Sequence, residues 1–344
     1  MTDPGERLRS SLAAADQGAP GDFDSPIAME ALRATRVLHA ADQDPFPAPS
    51  RLRVITIANQ KGGVGKTTSA VNLGVALALY GLRTLVIDLD PQGNTSTALG
   101  VDHTVGTPSV YDTLVGDSPL SAVTHPTTAS PLLTCVPATI DLAGAEIELV
   151  SVVAREYRLR RAIEAYVHSM PEDKRPHYVL IDCPPSLGLL TLIALVAGDE
   201  VLIPIQCEYY ALEGLGQLLN NIDLVRAHLN PGIAVRTILL TMYDGRTKLA
   251  DQVAEEVRNH FGDLVLHAVI PRNVRVSEAP GYGQSVLTYD PGSRGSTSYV
   301  EAARELAERG AALPPLEPGR APAGVAPPAY GDLSASTDHT TENR

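Results

Sequence analysis

The stretch of sequence that decides the fold is Lys61-Gly62-Gly63-Val64-Gly65-Lys66-Thr67-Thr68. An apolar run typical of a β-strand precedes it at residues 54–58, and a helix-forming segment follows at 69–80. A strand, a glycine-rich loop and a helix in this order are the context that a phosphate-binding loop requires. The glycines lack a Cβ, so backbone N–H groups can turn towards a phosphate, and the helix N-terminus adds partial positive charge. The stretch therefore predicts a nucleotide site.

Two lysines and a threonine in this loop carry the charge and the oxygen that a bound nucleotide needs. Lys66 supplies a cation for the outer phosphates, and Thr67 offers a hydroxyl to Mg²⁺. Gln60 stands where the common pattern G-x-x-x-x-G-K-[ST] has its first glycine, and Lys61 adds a second cation. A chance glycine run beside a solvated lysine is the plainer interpretation, but the flanking strand and helix disfavour it. The loop indicates a nucleotide site of an unusual kind.

Composition places the chain among ordinary globular proteins. Its 344 residues are 44% hydrophobic and 19% charged, and no apolar run reaches the roughly 18 residues that a membrane span needs. A formal net charge of −13 argues against a nucleic-acid coat, so DNA binding would need a local basic patch. The widely spaced Cys135, Cys183 and Cys207 favour buried thiols in a reducing compartment over disulfides or a metal site.

The pattern along the chain predicts a central domain at residues 51–312 and two tails. Residues 1–50, rich in Ala, Asp, Pro and Gly, predict a flexible acidic N-terminal extension with a short helix after Ser25-Pro26. Residues 313–344 predict a disordered C-terminal tail rich in Pro, Ala and Gly.

Within the central domain, apolar runs typical of strands alternate with helix-forming segments. The runs lie at 53–58, 84–89, 132–137, 178–182, 200–204, 235–242 and 265–270. The helical segments lie at 67–80, 150–168, 187–197, 211–228, 249–261 and 297–309. Near-continuous aliphatic strands alternating with helices predict an α/β fold with a mostly parallel sheet, flanked by helices on both faces. Sites in such a fold lie at the carboxyl ends of the strands.

Carboxylates follow two of the predicted strands at that edge. Asp88 and Asp90 share one side of an extended strand because side chains alternate with a period of two. Alone, this pair suits a plain strand end before a turn equally well. Asp182 follows four apolar residues, which is the arrangement of a Walker B strand, and a carboxylate there can hold the water shell of Mg²⁺. Together with the glycine-rich loop, the two acidic strand ends favour a P-loop nucleotide triphosphatase.

Further motifs make the resemblance to a family specific. They are the loop at 61–68, Asp-Pro-Gln-Gly-Asn at 90–94, Asp-Cys-Pro-Pro-Ser at 182–186, Thr-Met-Tyr-Asp-Gly-Arg at 241–246, the segment 270–279 and Tyr-Asp-Pro-Gly-Ser-Arg-Gly at 289–295. The set resembles the ParA (Soj) family of chromosome-partitioning ATPases, which carry a deviant Walker A loop. The resemblance covers about residues 51–310 and makes the central domain a ParA-type ATPase domain.

The resemblance implies a role for each residue of the phosphate site. Lys61 would be the signature lysine that reaches across a nucleotide-sandwich dimer to the partner's phosphates, and Lys66 would bind phosphate in its own subunit. Thr67 would ligate Mg²⁺, with Asp182 holding it through a water. Asp90 would belong to the same Mg²⁺ site and would position or activate the attacking water. Phosphoryl transfer of this kind depends mostly on positioning and charge stabilisation.

The resemblance also implies a DNA surface and an adenine pocket. Arg246 and Arg275 match positions that contact DNA phosphates without reading sequence, although both also suit ordinary surface arginines. The residues that could widen this basic patch are Lys248, Arg272 and Arg294. The adenine pocket would involve Met242, Pro271 and Asn273, although a Pro-Arg-Asn segment equally suits a turn that ends a strand.

The function implied by these motifs is that of a cytoplasmic, nucleoid-associated ATPase for chromosome or plasmid segregation, with ATP and Mg²⁺ as ligands. ATP would close a homodimer that binds double-stranded DNA non-specifically. A ParB-type centromere-binding protein would stimulate the weak intrinsic hydrolysis and release the dimer. No membrane association is expected, and the N-terminal extension either recruits a pole-associated partner or only solvates the protein.

Three alternatives share the loop but differ in function. A MinD-like ATPase acts on membranes and needs a basic amphipathic C-terminal helix, whereas residues 314–344 hold prolines, glycines and acidic groups. A nitrogenase-reductase-type or Fe–S carrier protein needs cluster cysteines, and Cys183 has no partner at ligand spacing. A scaffold with an inert loop would not need Lys66, Thr67, Asp90 and Asp182 together.

Overall fold

A single mixed sheet positions the sequence motifs. The computed structural model describes residues 26–38, 44–209 and 215–314. The strands within these ranges are β1 Arg53–Ile57, β2 Thr84–Asp88, β3 His125–Pro126, β4 Leu133–Val136, β5 Tyr178–Asp182, β6 Glu200–Gln206, β7 Ala234–Tyr243 and β8 Val265–Pro271. They lie in the order β3-β4-β2-β5-β1-β6-β7-β8. All neighbouring pairs are parallel except β3 with β4, which is antiparallel.

Helices cover both faces of this sheet. The α-helices among the described residues are α1 Pro26–Leu38, α2 Lys66–Leu79, α3 Asn94–Ala98, α4 Val110–Leu114, α5 Leu120–Val123, α6 Leu142–Glu148, α7 Arg158–Ser169, α8 Leu189–Ala197, α9 Leu215–His228, α10 Lys248–Phe261, α11 Val274–Glu278, α12 Val286–Tyr289 and α13 Arg294–Ala311. Successive strand residues face opposite sides, so Val179 and Ile181 join one buried cluster with α7 to α10 while Leu180 joins another with α2 and α13. The predicted α/β fold is confirmed.

The predicted helix over 150–168 is wrong in its first half. The α-helix begins only at Arg158, and two short 3₁₀ turns at Leu149–Ser151 and Arg155–Tyr157 precede it. Ala154, between these turns, has a left-handed backbone with φ of 55°. A valine-rich stretch at 150–153 explains the break, because β-branched side chains lose rotamer freedom in a helix. The short edge strand β3 was also missed, since two residues give no period-two pattern.

The segment before residue 51 is partly folded onto the domain. The predicted helix after Ser25-Pro26 is present and begins at Pro26. Phe46 stacks on Tyr80 with ring centroids 4.1 Å apart, and Arg304 lies over both rings. The folded unit therefore begins before residue 51, whereas the prediction placed its start there. Parts of three predicted segments lie outside the described residues. They are residues 1–25 and 39–43 of the N-terminal extension, residues 315–344 of the C-terminal tail, and residues 211–214 of the predicted 211–228 helix.

A buried ion pair ties the start of the sheet to the last helix. Arg53 Nε donates to Glu200 Oε1 at 2.8 Å, and Arg53 Nη1 donates to the carbonyl oxygen of Leu306 in α13 at 2.7 Å. Both charged side chains are almost fully buried. Because β1, β6 and α13 meet here, the pair fixes the end of the sheet opposite to the glycine-rich loop.

Candidate nucleotide-binding site

The glycine-rich loop leaves the carboxyl end of β1 and turns into α2. Gly63 and Gly65 have φ of 74° and 90°, a left-handed backbone that glycine adopts without strain. Gly65 directly precedes α2, so the loop ends where the first free backbone N–H groups of the helix begin. Thr241, near the end of β7, donates from Oγ1 to the carbonyl oxygen of Val64 at 2.8 Å and holds the loop from the side. The structure therefore contains the strand, the glycine-rich loop and the helix in the predicted order.

Lys66 lies inside this turn. Its side chain is only 7% exposed, and Nζ donates to the carbonyl oxygen of Lys61 at 3.2 Å. Burial lowers the pKa of the Lys66 ammonium, while the nearby carboxylate of Asp182 opposes that shift. A buried cation with one weak neutral partner is well placed for a phosphate, because an anion would restore the charge compensation that water no longer provides.

Asp182 meets Thr67 at the end of β5. Its Oδ2 accepts hydrogen bonds from Thr67 Oγ1 at 2.8 Å and from Thr95 Oγ1 at 2.7 Å. Its Oδ1 is buried and has no hydrogen-bond partner among the residues that the structure describes. Burial raises the pKa of this carboxyl to about 6, and the two hydroxyls partly offset the shift. An orphaned carboxylate oxygen beside hydroxyls suits a hard cation such as Mg²⁺, which prefers oxygen ligands.

Asp88 organises the loop that follows β2. Its Oδ2 accepts from the backbone N and from Oγ of Ser96, at 2.9 and 2.7 Å, and its Oδ1 accepts from Asp90 N at 3.1 Å. Burial, followed by the charge of the neighbouring Asp182, raises the pKa of Asp88 to about 8. The sequence pattern placed Asp88 and Asp90 on the same side of a strand and did not distinguish their roles. In the structure Asp88 faces inward and holds α3.

Asp90 lies two residues beyond the end of β2. Its Oδ1 accepts from Gln92 N at 3.0 Å, and its carbonyl oxygen accepts from Gly93 N at 2.9 Å, so the Asp90–Gly93 turn is closed by its own backbone. The charge of Asp90 contributes to the raised pKa of Asp182, which places the two carboxylates close together. The side chains of Asp90, Asp182 and Lys66 therefore lie close together.

Lys61 leaves the loop in a different direction from Lys66. Its backbone N donates to Asn59 Oδ1 at 3.0 Å, and Asn59 Nδ2 donates in turn to the carbonyl oxygen of Pro204 at 2.8 Å. The side chain of Lys61 is 36% exposed, and its Nζ lies 4.0 Å from Glu208 Oε2. The backbone of Lys61 is thus fixed while its ammonium group lies at the surface. Sequence reasoning did not single out Asn59, whose role is visible only once β1 and β6 are adjacent.

Comparisons with known proteins identify the family. A family model described as an AAA domain matches residues 52–235. The sporulation initiation inhibitor protein Soj of Bacillus subtilis is 53% identical over 258 residues, which are 75% of this chain and 99% of that protein. The chromosome partitioning protein ParA of Caulobacter vibrioides is 54% identical over 260 residues, 75% of this chain and 95% of that protein. The chain belongs to the Soj/ParA family.

A solved structure gives the same relationship at the level of the fold. The cobyrinic acid a,c-diamide synthase of Mycobacterium smegmatis is 40% identical, with a TM-score of 0.62, and the match covers 73% of this chain and 93% of that one. That structure holds an ATP analogue and magnesium, the two ligands predicted from the present sequence. In this Soj/ParA chain, Lys66, Thr67 and Asp182 lie together beside the glycine-rich loop.

The basic residues assigned to DNA by the family resemblance are all exposed. Arg246 and Lys248 lie at the start of α10, Arg272 and Arg275 follow β8, and Arg294 opens α13. Carboxylates already pair with three of them. The pairs are Arg246 with Asp244, Arg272 with Glu208, and Arg275 with Glu278 and Asp290.

Contacts around Asp244 and Tyr243 join two parts of this basic surface. Asp244 accepts two hydrogen bonds from the Arg246 side chain, at 2.8 and 2.7 Å, and these bonds lower the pKa of Asp244 to about 2 with a smaller contribution from Arg272. The backbone N of Arg272 donates to the carbonyl oxygen of Tyr243 at 2.9 Å. Arg246 and Arg272 therefore lie close together at the ends of β7 and β8.

The residues assigned to adenine lie at the ends of the same two strands. Met242 has a left-handed backbone with φ of 51°, which is uncommon for a residue with a side chain. Pro271 ends β8 and pairs with Tyr243. Asn273 caps α11, and its Oδ1 accepts from Arg275 N at 2.8 Å. The structure thus brings Met242 and Pro271 to one edge and gives Asn273 a local capping role.

No helix among the described residues is long and apolar enough to cross a bilayer. Cys135, Cys183 and Cys207 are buried and free, and burial raises the pKa of each thiol. Within the described ranges, no group of three or more His, Cys, Asp or Glu side chains is arranged to hold a metal ion.

Proposed function

We propose that this chain is an ATPase of chromosome or plasmid partitioning. Binding of ATP and Mg²⁺ closes a homodimer, the dimer holds double-stranded DNA without sequence preference, and a ParB-type partner stimulates a slow hydrolysis that releases it. Lys66 binds the phosphates, Thr67 and Asp182 hold Mg²⁺, and Asp90 positions the attacking water. The observation that carries the proposal is the contrast between the two lysines of the loop.

Lys66 is buried inside its own loop, whereas Lys61 projects from it. The pair between Lys61 and Glu208 is half-exposed and long, so it is worth at most about 1 kcal/mol and is readily exchanged. Asn59 fixes the backbone of Lys61, which limits where the ammonium can reach. Such a cation is available to the triphosphate of a second copy, and a charge supplied in this way links dimer formation to ATP.

An exposed apolar surface close to the site favours a second copy as the partner. Ile140, Ile147, Val150 and Val153 are between 56% and 91% exposed, although they are large hydrophobic residues. They lie in and around α6, whose Glu146 Oε1 accepts from the backbone N of Leu190, a few residues after Asp182, at 3.4 Å. This surface therefore adjoins the segment that follows the metal ligand. Burying it against a second copy would stabilise the dimer by about 25 cal/mol per Å² of apolar area.

The exposed basic residues at the ends of β7 and β8 support DNA binding through phosphates. Arg246 and Arg275 are tied to carboxylates in the same chain, so DNA has to compete with Asp244, Glu278 and Asp290. Non-specific contacts of this kind release counterions, and the affinity falls steeply with salt. Membrane binding by a MinD-like mechanism is the competing function, and co-sedimentation with liposomes in the presence of ATP tests it directly.

The deciding experiment measures mass and DNA retention together. Light scattering on a sizing column gives the mass with ATP and with ADP, and a filter assay gives retention of random-sequence DNA in both states and with ATP plus a ParB protein. We expect the protein to be a dimer and to retain DNA with ATP, but not with ADP or with ATP plus the ParB protein. Lys61→Ala should abolish both, Asp90→Ala should keep both while losing hydrolysis, and Lys174→Ala, an exposed lysine outside the site, should behave as wild type. Equal DNA retention in all three states would refute the switch.

A further inference from the structure

His103 lies against the turn that carries Asp90. Gly93 closes this turn with φ of 64°, and a Cβ at Gly93 would lie 2.6 Å from Nδ1 of His103 and 3.1 Å from the carbonyl oxygen of Ala138. The imidazole therefore packs directly on the α-carbon of Gly93. No role in phosphate, metal or DNA binding has been assigned to His103, whose loop connects α3 to α4.

Thr97 joins the ring to the same turn. Its Oγ1 donates to the carbonyl oxygen of Gly93 at 3.1 Å and lies 2.8 Å from His103 Nε2. When Thr97 donates its one hydroxyl proton to Gly93, the second bond requires the tautomer of His103 that carries its proton on Nε2. The imidazole and the threonine together hold Gly93 from two sides.

The loop that presents His103 is itself braced. Asp102 Oδ1 accepts from Thr104 N at 3.0 Å, and Thr107 N donates to the carbonyl oxygen of Thr104 at 3.0 Å. Val101 N donates to the carbonyl oxygen of Ser96 at 3.0 Å and anchors the start of the loop on α3. Hydrogen bonds within the loop therefore fix the backbone that carries the His103 ring.

We propose that His103 is a positioning residue for ATP hydrolysis. It acts through Thr97 and Gly93 and holds the turn in which Gly93 N and Gln92 N bond to Asp90. The inference rests on the proposed role of Asp90. Without the ring, the carboxylate of Asp90 would sample more orientations. The attacking water would then be correctly placed beside a bound nucleotide for a smaller fraction of the time.

The test compares His103→Ala with His103→Gln, because glutamine can keep an N–H donor near the position of Nε2. We expect His103→Ala to lower kcat about tenfold, a smaller loss than the roughly hundredfold that a gross misplacement can cause. The KM for ATP and the affinity for a fluorescent ATP analogue should stay as in wild type. His103→Gln should restore kcat to within about twofold, which is the rescue expected of a hydrogen-bond donor. His168→Ala, at an exposed histidine of α7, is the matched control.

Hydrogen exchange at the Gly93 and Thr97 amides gives a second readout that does not depend on the proposed catalytic role of the Asp90 carboxylate. Exchange should be faster in His103→Ala and normal in His103→Gln. An unchanged kcat in His103→Ala, or equal losses in both variants accompanied by equal losses of thermal stability, would overturn the proposal. If Asp90→Ala hydrolyses ATP normally while exchange at Gly93 still responds to His103, the role of Asp90 fails and the contact stands.

Discussion

Thr67 and Asp182 are joined by a hydrogen bond of 2.8 Å from Oγ1 to Oδ2, which links the first turn of α2 to the end of β5. The two residues are 115 positions apart, and only the adjacency of β1 and β5 brings them together. The bond leaves Asp182 Oδ1 without a partner among the described residues. A divalent cation would meet one hydroxyl and one carboxylate whose orientation is already fixed.

The first prediction concerns this carboxylate. Asp182→Asn keeps the size of the side chain and removes the charge, so we expect Mg²⁺ to lose most of its effect on ATP affinity. The same change should raise the thermal stability of the protein without nucleotide, because a buried carboxylate costs free energy when no cation compensates it. Titration with a fluorescent ATP analogue, with Mg²⁺ and with EDTA, measures the first effect and calorimetry the second.

Asp223→Asn is the matched control, since Asp223 is half-exposed and its salt bridge to Arg226 lies on α9. It should leave both the Mg²⁺ dependence and the melting temperature unchanged. An Asp182→Asn variant that still needs Mg²⁺ for tight ATP binding would show that the metal is held elsewhere.

The second prediction concerns pH and His177. Its Nδ1 accepts from Arg83 N at 3.0 Å, and burial followed by the charge of Arg83 lowers the pKa of the imidazole below its usual 6.5. The unfolded chain therefore takes up a proton at a higher pH than the folded protein, and stability is lost as the pH falls below about 6.5. For one proton the slope cannot exceed about 1.4 kcal/mol per pH unit.

The variant that isolates this effect is His177→Asn, whose Oδ1 can replace Nδ1 as an acceptor and does not titrate. Urea unfolding between pH 5 and 8 should give parallel curves above pH 7, with wild type losing more stability than the variant below pH 6.5. Identical pH dependence in the two proteins would mean that His177 does not contribute. Using the difference between them removes the contributions of the buried carboxyls.

Much of the site could be predicted from sequence because its residues follow recognisable strand ends. Asp90 and Asp182 follow apolar runs closely, and Lys66 and Thr67 come at the end of the loop that follows another. A parallel sheet brings such strand ends to one edge. Thr95, Ser96 and Asn59 could not be predicted in this way. Their side chains act through hydrogen bonds to Asp182, Asp88 and the loop, and a single hydroxyl or amide in a polar segment carries no periodic signal.

The fold shows the same limit. The period of aliphatic residues gave the core strands and the long helices, since burial on two faces leaves a pattern in the sequence. The late start of α7 depends on the left-handed backbone at Ala154, and the packing of Phe46 on Tyr80 joins residues far apart in the chain. The residue pattern of a single segment predicts neither the backbone conformation at Ala154 nor the contact between Phe46 and Tyr80.

The third prediction concerns the basic surface. Arg275→Glu should abolish retention of random-sequence DNA while ATP turnover persists, because a repelling charge replaces an exposed arginine that pairs with Glu278 and Asp290. Arg275→Ala should instead weaken retention and lower the slope of log affinity against log salt by about 0.9 if one phosphate contact is lost. Arg160→Glu, on α7 beside Glu164, is the matched charge reversal outside the surface.

Retention is measured with ATP at several salt concentrations, and turnover is measured in parallel. Arg160→Glu has the same change in net charge, so it separates a local contact from a general electrostatic effect. Unchanged retention of DNA by Arg275→Glu at low salt would remove Arg275 from the surface.

The fourth prediction concerns the buried pair between Arg53 and Glu200. Glu200→Gln leaves the guanidinium of Arg53 without a countercharge in the interior, so we expect the free energy of unfolding to fall by about 3–5 kcal/mol. Glu164→Gln removes the exposed pair with Arg160 and should cost only about 0.3–0.5 kcal/mol. The double variant Arg53→Met with Glu200→Gln should recover part of the loss, because no unpaired charge remains buried. Urea unfolding of wild type, the two single variants and the double variant measures these differences. If Glu200→Gln lowered the free energy of unfolding as little as Glu164→Gln does, the buried pair would not stabilise this end of the sheet.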